Sequence, residues 1–334
     1  MKVMQIRRYS KQIALEASER EMPKPGKREV LIQVQAAAVN PLDLLILHGD
    51  IRLIHSYPMP LVLGNECSGI IREAGEEVTS FQPGDHVYAR LPMQQIGAFA
   101  QFVAVDASAV AKMPKGYPFA IAAAIPLAAL TSYQAIMEGL QAKKGETILV
   151  TGGSGSLGQM LVPIAKALGM HVIVTGNDRA RDIICSLGAD HYLDYRKENY
   201  WECIEHVDHV IDTLGVKEFE KELSILKPGG TLLSLKGIPN KEFAQSMHYP
   251  WFQRCLFTIA GAKYDRLAKK KGCRYRFLFV RSDGEQLNTL TEIIEKQKIQ
   301  PQIDDRVFTL EQAQEALAYA ENGHTNGKVI LKVE

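Results

Sequence analysis

The sequence predicts an α/β fold with a β-rich domain and a doubly wound parallel-sheet domain, and the spacing of its apolar runs carries this prediction. Residues 1–122 hold short β-like runs separated by turns, which is typical of a mostly antiparallel unit. Residues 123–283 alternate apolar strands with helices, which is the pattern of βαβ units. Residues 284–334 are too few to form a domain alone, so we expect them to complete the first domain.

The strands of the first domain are marked by proline and glycine turns. We expect strands in "EVLIQVQAAAV" (29–39), "PLVLGNECSGIIREAG" (60–75) and "FQPGDHVYARL" (81–91). The following segment, "AIAAAIPLAALTSYQAIMEGL" (120–140), predicts helices. Its apolar part is short and contains Pro126, so we expect no membrane span.

The second domain and the C-terminal segment follow in a regular order. Predicted strands are "ETILV" (146–150), "HVIVTG" (171–176), "HYLDY" (191–195), "HVIDTLG" (209–215), "TLLSLKG" (231–237) and "GKVILKVE" (327–334). Predicted helices are "LGQMLVPIAKALG" (157–169), "DRARDIICSLG" (178–188), "KEFEKELSILKPGG" (217–230), "EQLNTLTEIIEKQ" (285–297) and "VFTLEQAQEALAYAENG" (307–323). Two apolar segments, 44–59 and 249–259, are predicted to be loop-like walls of a substrate pocket.

Composition excludes several classes of function. The 334 residues include 39 Lys and Arg against 38 Asp and Glu, so the net charge gives no support for nucleic acid or a membrane surface as a partner. The five cysteines are scattered and form no C-x-x-C pair, which argues against a disulfide framework or a zinc knuckle. The N-terminus has no apolar core of a signal peptide, so we predict a reducing, cytoplasmic setting.

A glycine-rich turn, "VTGGSGSLGQ" (150–159), predicts a dinucleotide site. Gly153, Gly155 and Gly158 fit G-x-G-x-x-G after an apolar strand and before an apolar helix. Glycine lets the backbone turn tightly and approach a pyrophosphate, whose charge is stabilised at the helix N-terminus. The alternative is a glycine-rich βα turn with no ligand.

The end of the next strand favours NADP over NAD. NAD-binding folds place an acid there for the ribose 2′-hydroxyl, and this chain has Gly176. Arg179 and Arg181 follow and are able to pair with a 2′-phosphate, although Asp178 lies beside them. Alternatively, each arginine is a solvated residue at a helix start.

These motifs together carry a family resemblance over nearly the whole chain. With "AAAVNPLDLLILHGD", "GAFAQFVAV", "LGADHYLDY", "LKPGG" and "GHTNGKVIL", the sequence resembles the medium-chain dehydrogenase/reductase superfamily, in its zinc-free quinone oxidoreductase-like branch. The resemblance implies a GroES-like domain from residues 1–122 and 284–334, and a Rossmann NADP-binding domain from residues 123–283. It also implies a possible homodimer, since relatives often pair through the Rossmann sheet edge.

The same resemblance implies that no metal is bound. Asn40 stands where zinc-dependent members have a Cys, and Asn65 stands where they have the His of a Gly-His-Glu motif. Catalytic zinc takes three protein ligands of the Cys, His or carboxylate type. We therefore expect neither a metal nor metal ligands.

Cofactor contacts are carried over by matching positions one at a time. The resemblance places Gly155, Ser156 and Leu157 at the pyrophosphate, and Asn177 and Tyr195 at the adenosine phosphate, where we also place Arg179. It places Thr131 facing the nicotinamide, Leu214 at the fourth strand end over the cofactor, and Phe279 and Val280 in the last Rossmann strand near the nicotinamide. It also places His324, Thr325 and Asn326 in a C-terminal turn that touches the cofactor. Ordinary strand-end packing for Tyr195 and a solvated turn for His324 remain alternatives.

Without a metal, the favoured acceptors are small hydrophobic quinones or α,β-unsaturated carbonyls, because conjugation delocalises the incoming charge. Asn40 and Tyr57 are the candidates to hydrogen-bond the developing oxyanion. Asn40 alternatively caps the turn before Pro41, and Tyr57 alternatively packs its loop. A short-chain dehydrogenase is set aside, since no Tyr is followed by Lys four residues later. A non-catalytic NADPH-binding sensor of the same fold stays open.

Overall fold

The computed structural model describes residues 1–323 and 325–333, which form two compact units. Domain 1 comprises Met1–Leu130 and Arg281–Glu334, and domain 2 comprises Thr131–Val280. The functional limits 1–122, 123–283 and 284–334 stay a prediction.

The N-terminal part of domain 1 is made of short strands, as the turn residues predict. Its elements are β1 (Lys2–Ile6), β2 (Glu16–Glu19), β3 (Glu29–Ala38), α1 (Pro41–His48), β4 (Leu61–Val62), β5 (Glu66–Ala74), β6 (His86–Arg90), β7 (Phe102–Asp106), β8 (Val110–Lys112) and α2 (Phe119–Ala123).

Domain 2 alternates strands and helices, because each apolar strand needs an amphipathic helix to cover it. After α3 (Pro126–Gln134), which continues into a π-helical stretch (Ala135–Leu140), come β9 (Thr147–Thr151), α4 (Ser156–Ala167), β10 (His171–Gly176), α5 (Arg181–Ser186), β11 (His191–Asp194), α6 (Tyr200–Cys203), β12 (Val207–Asp212), α7 (Phe219–Ser224), β13 (Leu226–Ser234), α8 (Lys241–Ser246), α9 (Trp251–Lys270) and β14 (Arg274–Phe277). The six strands are parallel, in the order β11-β10-β9-β12-β13-β14. This order confirms the doubly wound sheet.

The C-terminal segment returns to domain 1. It contains α10 (Gly284–Gln297), β15 (Ile303–Thr309), α11 (Ala313–Glu321) and β16 (Lys328–Lys332). The larger sheet of domain 1 has the order β15-β16-β3-β5-β6-β8, with β7 also paired to β3. Since β16 runs antiparallel to β3, with Ile330 opposite Ala38, the start of β16 lies beside the start of α1.

Four predicted elements were wrong in their type or extent. The segment 44–59, predicted to be loop-like, begins inside α1, which ends at His48. The helix predicted over 217–230 ends at Ser224, because residues 226–230 belong to β13, which pairs with β12 and β14. The helix predicted over 307–323 begins only at Ala313, since Val307–Thr309 pair with β16. The segment 249–259, predicted to be loop-like, forms the first half of α9.

The apolar segment after residue 118 is longer than the sequence suggested. Pro126 does not end it, because this proline begins α3 shortly after α2, and the run Phe119–Leu140 is by length and composition able to cross a membrane. Of its most apolar part, 72% is buried inside the protein, as expected for a core helix.

Candidate cofactor and catalytic residues

The glycine turn between β9 and α4 in domain 2 leaves open space at the N-terminus of α4, where a phosphate group fits. Gly155 occupies the N-cap of α4, and a Cβ added there would meet nothing within 4 Å. A Cβ added to Gly158 would lie 1.8 Å from the carbonyl oxygen of Gly153, so this position requires glycine for close packing of helix and turn. The residues therefore fit a dinucleotide pyrophosphate, with Gly155, Ser156 and Leu157 at the helix N-terminus.

The end of β10 shows why an acid is absent there. A Cβ on Gly176 would lie 2.2 Å from Tyr192 Oη and 2.7 Å from Ser154 Cβ, so no side chain fits. The next residue, Asn177, donates from Nδ2 to Ser154 Oγ at 3.3 Å, and its carbonyl accepts from Tyr192 Oη at 2.6 Å. The turn that follows β10 is thus held by neighbouring polar groups.

The charge near this turn is more basic than the sequence indicated. Asp178 accepts from Lys197 Nζ at 2.9 Å and from Arg181 Nε at 3.1 Å, and these two cations lower the pKa of its carboxyl group. Within the described part of the chain, exposed Arg179 forms no ion pair, and Arg196 lies over the Tyr195 ring. Arg196 and Lys197 were not predicted as cofactor residues, although they directly follow the "LDY" motif.

The remaining predicted cofactor residues of domain 2 follow strands or lie in a core helix. Leu214 comes two residues after β12 and is 45% exposed. Phe279 and Val280 lie beyond β14 rather than in the last strand, because its pairing ends at Phe277. Thr131 is buried in α3.

Domain 1 holds the predicted C-terminal turn residues. The backbone N–H of Asn326 donates to Asp304 Oδ2 at 2.7 Å, which fixes the turn containing Thr325. His324 lies outside the described residues.

The predicted catalytic Asn40 and five other polar side chains of domain 1 form a group, here called the buried polar cluster. Lys328 Nζ lies 2.9 Å from Glu66 Oε1 and donates to Asn40 Oδ1 at 2.5 Å. Asn40 Nδ2 donates to Glu66 Oε1 at 2.9 Å and to the Ala38 carbonyl at 3.2 Å. The cluster consists of Asn40, Asp43, Asn65, Glu66, Arg90 and Lys328, each at most 5% exposed.

Asn40 also begins α1, as the alternative interpretation of this residue proposed. It is the N-cap residue, and its backbone N–H donates to Asp43 Oδ2 at 2.8 Å. Asn65 Nδ2 donates to Asp43 Oδ1 at 2.6 Å. Burial nevertheless raises the pKa of Asp43 to about 7, since desolvation outweighs these two hydrogen bonds.

Tyr57, the second predicted catalytic residue, is buried beside this cluster. Its backbone N–H donates to Tyr9 Oη at 2.7 Å, while its own hydroxyl makes no hydrogen bond to another described residue. Burial raises the pKa of Tyr57, against the opposing charge of Arg90. Arg90 is fully buried opposite Glu66 on paired strands, and its Nε and Nη2 have no partner among the described residues.

Comparison with known proteins decides the family. The family description "alcohol dehydrogenase GroES-like domain" matches residues 26–115, and "zinc-binding dehydrogenase" matches residues 187–331. A mitochondrial NAD(P)H oxidoreductase of Danio rerio is 31% identical, covering 91% of this chain and 84% of that protein. The chain belongs to the medium-chain dehydrogenase/reductase superfamily.

Two further relatives place this superfamily member in the quinone oxidoreductase-like branch. A 2-methylene-furan-3-one reductase of Solanum lycopersicum is 31% identical over 93% of this chain and 73% of its own. The solved quinone oxidoreductase from Coxiella burnetii is 27% identical, with a TM-score of 0.83 over 100% of this chain and 99% of the other. The GroES-like and Rossmann-like domains are thereby confirmed, and the chain is an oxidoreductase with a nicotinamide cofactor.

The side chains at the catalytic-zinc positions of this superfamily do not fit the metal. Asn40 and Asn65 offer amides, and the Lys328 ammonium group is hydrogen-bonded between Asn40 and Glu66. Among the described residues, no group of three or more His, Cys, Asp or Glu is arranged to hold a metal ion. Zinc prefers Cys, His and carboxylate ligands, so this donor set with its own cation does not suit it.

Proposed function

We propose that the protein is an NADPH-dependent oxidoreductase that reduces a small hydrophobic quinone or α,β-unsaturated carbonyl without a metal. The observation that carries this proposal is the Lys328 ammonium group, held between Asn40 and Glu66 where zinc-dependent relatives have their ligand positions. Bound NADPH supplies the hydride. Asn40, Glu66 and Lys328 of the buried polar cluster are already hydrogen-bonded to one another, so they are poorly arranged to polarise a simple carbonyl. A conjugated acceptor needs little such polarisation.

The preference for NADPH is supported by charge at the end of β10. Lys197 and Arg181 neutralise Asp178, and Arg179 is exposed nearby. A 2′-phosphate placed here meets three cations and one paired carboxylate. Charge-assisted hydrogen bonds from Arg and Lys favour the phosphate over a hydroxyl.

The two catalytic candidates differ in the hydrogen bonds that they already make. Asn40 donates both amide hydrogens to protein acceptors, so it must break a hydrogen bond before it serves the substrate. Tyr57 keeps its hydroxyl proton at neutral pH, as tyrosines ordinarily do, and this hydroxyl makes no hydrogen bond to another described residue. We therefore propose Tyr57 as the donor to the acceptor oxygen, and Asn40 as a residue that orients the site.

An acceptor panel with purified protein tests the reaction. Turnover of NADPH with quinones and enones is expected to exceed that with saturated ketones of similar size. Tyr57→Phe removes only the hydroxyl and is expected to lower kcat by about 100-fold, with NADPH affinity unchanged. The kcat of Asn40→Ala is measured alongside, so that the effects of the two candidate residues are compared. NADPH binding without turnover of any acceptor would instead favour the sensor interpretation.

Fluorescence titration with both cofactors tests the nucleotide preference. NADPH is expected to bind at least tenfold more tightly than NADH at moderate salt. Asn177→Asp adds a negative charge beside the proposed 2′-phosphate, so it should narrow this gap, as should Arg179→Ala. Equal affinities of the unmodified protein for the two cofactors contradict the proposal.

We also propose a homodimer and a cytoplasmic setting. β14 is an edge strand of the domain 2 sheet, and an edge of this sheet is where the resemblance places the contact between two copies. All five cysteines are free, which suits a reducing compartment. Sedimentation velocity at micromolar concentration checks the first proposal, and localisation of a tagged chain checks the second.

A further inference from the structure

Helix α9 exposes an unusual number of large apolar side chains. Trp251, Phe252, Leu256 and Ile259 are 77%, 57%, 45% and 76% exposed. Single exposed apolar residues are normal, but four within nine residues of one helix form a contiguous patch. Such patches mark surfaces that contact something else.

The packing of α9 fixes which side of the helix faces outward. Phe257, Gly261 and Ala268 are buried on one side. At Gly261 an added Cβ would lie 2.5 Å from Asn240 Cβ, so the helix approaches the start of α8 closely there. Residues 252, 256, 259, 263, 266 and 270 recur at intervals of three or four and share the opposite side.

The second half of this outward side is basic. Lys263, Arg266, Lys269 and Lys270 are all exposed. Asp265, the acidic residue of α9, accepts a hydrogen bond from Asn240 at 2.7 Å. Residues 241–274 contain eight Lys or Arg and two Asp or Glu, although the whole chain is nearly neutral. The near-zero net charge thus conceals a strongly positive segment.

We infer that this side of α9 docks on an anionic lipid surface. The α9 face is defined as Trp251, Phe252, Leu256, Ile259, Lys263, Arg266, Lys269 and Lys270. Exposed aromatic and aliphatic groups favour the headgroup boundary of a bilayer, and lysines and arginines on the same side of the helix favour its anionic headgroups.

Charge and shape favour lipid over the other occupants of such a patch. A second copy seated on the α9 face brings two clusters of like charge together, which opposes association. A single-stranded nucleic acid stacks its bases on aromatic rings, and Leu256 and Ile259 offer none. An anionic bilayer uses both halves of the face.

Vesicle co-sedimentation of the full chain tests the inference. The probes are phosphatidylcholine vesicles with and without 30% phosphatidylglycerol. We expect binding to the mixed vesicles at low salt and its loss at 0.5 M salt. Each basic residue near such a surface contributes about 1 kcal/mol, so Lys269→Gln with Lys270→Gln is expected to weaken partitioning about 30-fold.

The apolar half is tested separately, with matched controls. Trp251→Ser with Ile259→Ser is expected to weaken vesicle binding at least tenfold. The control for the lysine variant is Lys24→Gln with Lys296→Gln, which changes two exposed lysines elsewhere and should leave vesicle binding unchanged. Trp201→Phe leaves Trp251 as the single tryptophan, whose emission should shift to the blue on mixed vesicles.

Several outcomes overturn the inference while leaving the proposed oxidoreductase activity untouched. Failure to sediment with the mixed vesicles is one, and equal binding to pure phosphatidylcholine is another. Tighter binding to a single-stranded oligonucleotide, or conversion of a dimer to a monomer by Trp251→Ser with Ile259→Ser, assigns the face to a different partner. Unchanged circular dichroism and NADPH affinity show that the variants are folded.

Discussion

At the residue scale, Lys328 and Glu66 form a buried ion pair in domain 1. Both side chains are at most 6% exposed. Removing one partner leaves an uncompensated buried charge, so Lys328→Met is expected to lower the free energy of unfolding by about 3–5 kcal/mol. Urea denaturation measures this change.

Two variants distinguish the effect of breaking the Lys328–Glu66 pair from the effect of removing any lysine. Glu66→Gln combined with Lys328→Met removes both charges, and the Asn40 amide is then free to rotate toward the new partner. We expect this double variant to recover most of the stability. Lys2→Met breaks the exposed pair with Glu311 and should change stability little. A double variant no more stable than Lys328→Met alone contradicts the pairing argument.

Asp43 makes stability depend on pH near neutrality. Its pKa is about 7 in the folded protein and close to 4 when unfolded, so the native state holds this proton more tightly. The contribution is fully present below pH 4 and is lost as pH rises through 7, by at most about 1.4 kcal/mol per pH unit.

Asp43→Asn isolates this contribution, because the amide cannot ionise and unpartnered Asn65 Oδ1 is available to accept from it once the side chains reorient. Between pH 5 and pH 8, the unmodified protein is expected to lose more stability in urea than the variant. Parallel pH profiles for the two proteins contradict an elevated Asp43 pKa.

At the element scale, the turn between β9 and α4 allows folding and cofactor binding to be separated. Gly155→Ala places its methyl group in open space at a negative φ, so it should barely alter stability yet obstruct the pyrophosphate and weaken NADPH binding more than tenfold. Gly158→Ala meets the Gly153 carbonyl and is expected to cost about 1–3 kcal/mol of stability. Thermal unfolding and fluorescence titration of both variants check this. Equal loss of stability in the two contradicts it.

Elements defined by local pattern were predicted, and those defined by distant partners were not. The strands and helices around the glycine turn follow from apolar periodicity and glycine spacing within about 40 residues. In contrast, "LKPGG" joins β13 only because β12 and β14 flank it. The loop predicted at 249–259 is a different kind of error, because this aromatic-rich segment belongs to the continuous helix α9, which is a local element.

The buried polar cluster was beyond prediction for the same reason. Asn40 was singled out by its motif, but its hydrogen-bond partner Lys328 lies 288 residues away along the chain. The residues around Lys328 do not indicate that this lysine, at the start of β16, is buried. Tyr57 was also singled out from the sequence and stays a prediction, and nothing in its loop indicated that Arg90 would lie near it.

At the scale of the whole molecule, the chain combines a family fold that in many members binds zinc with a site that carries its own cation. Lys328 donates to Asn40 and pairs with Glu66, so the positive charge that stabilises this carboxylate comes from the protein. Purified protein is therefore expected to contain well below one zinc per chain by elemental analysis. Its activity should survive dialysis against a chelator.

Rebuilding the ligands tests whether Lys328 itself excludes the metal. Asn40→Cys with Asn65→His supplies two zinc-type ligands beside Glu66, but the ammonium group still competes for the same carboxylate. We expect little zinc in that double variant, and measurable zinc only when Lys328→Ser is added, because the carboxylate then needs a new counter-ion. Stoichiometric zinc in the unmodified protein, lost together with activity on chelation, would overturn both the metal-free mechanism and this role of Lys328.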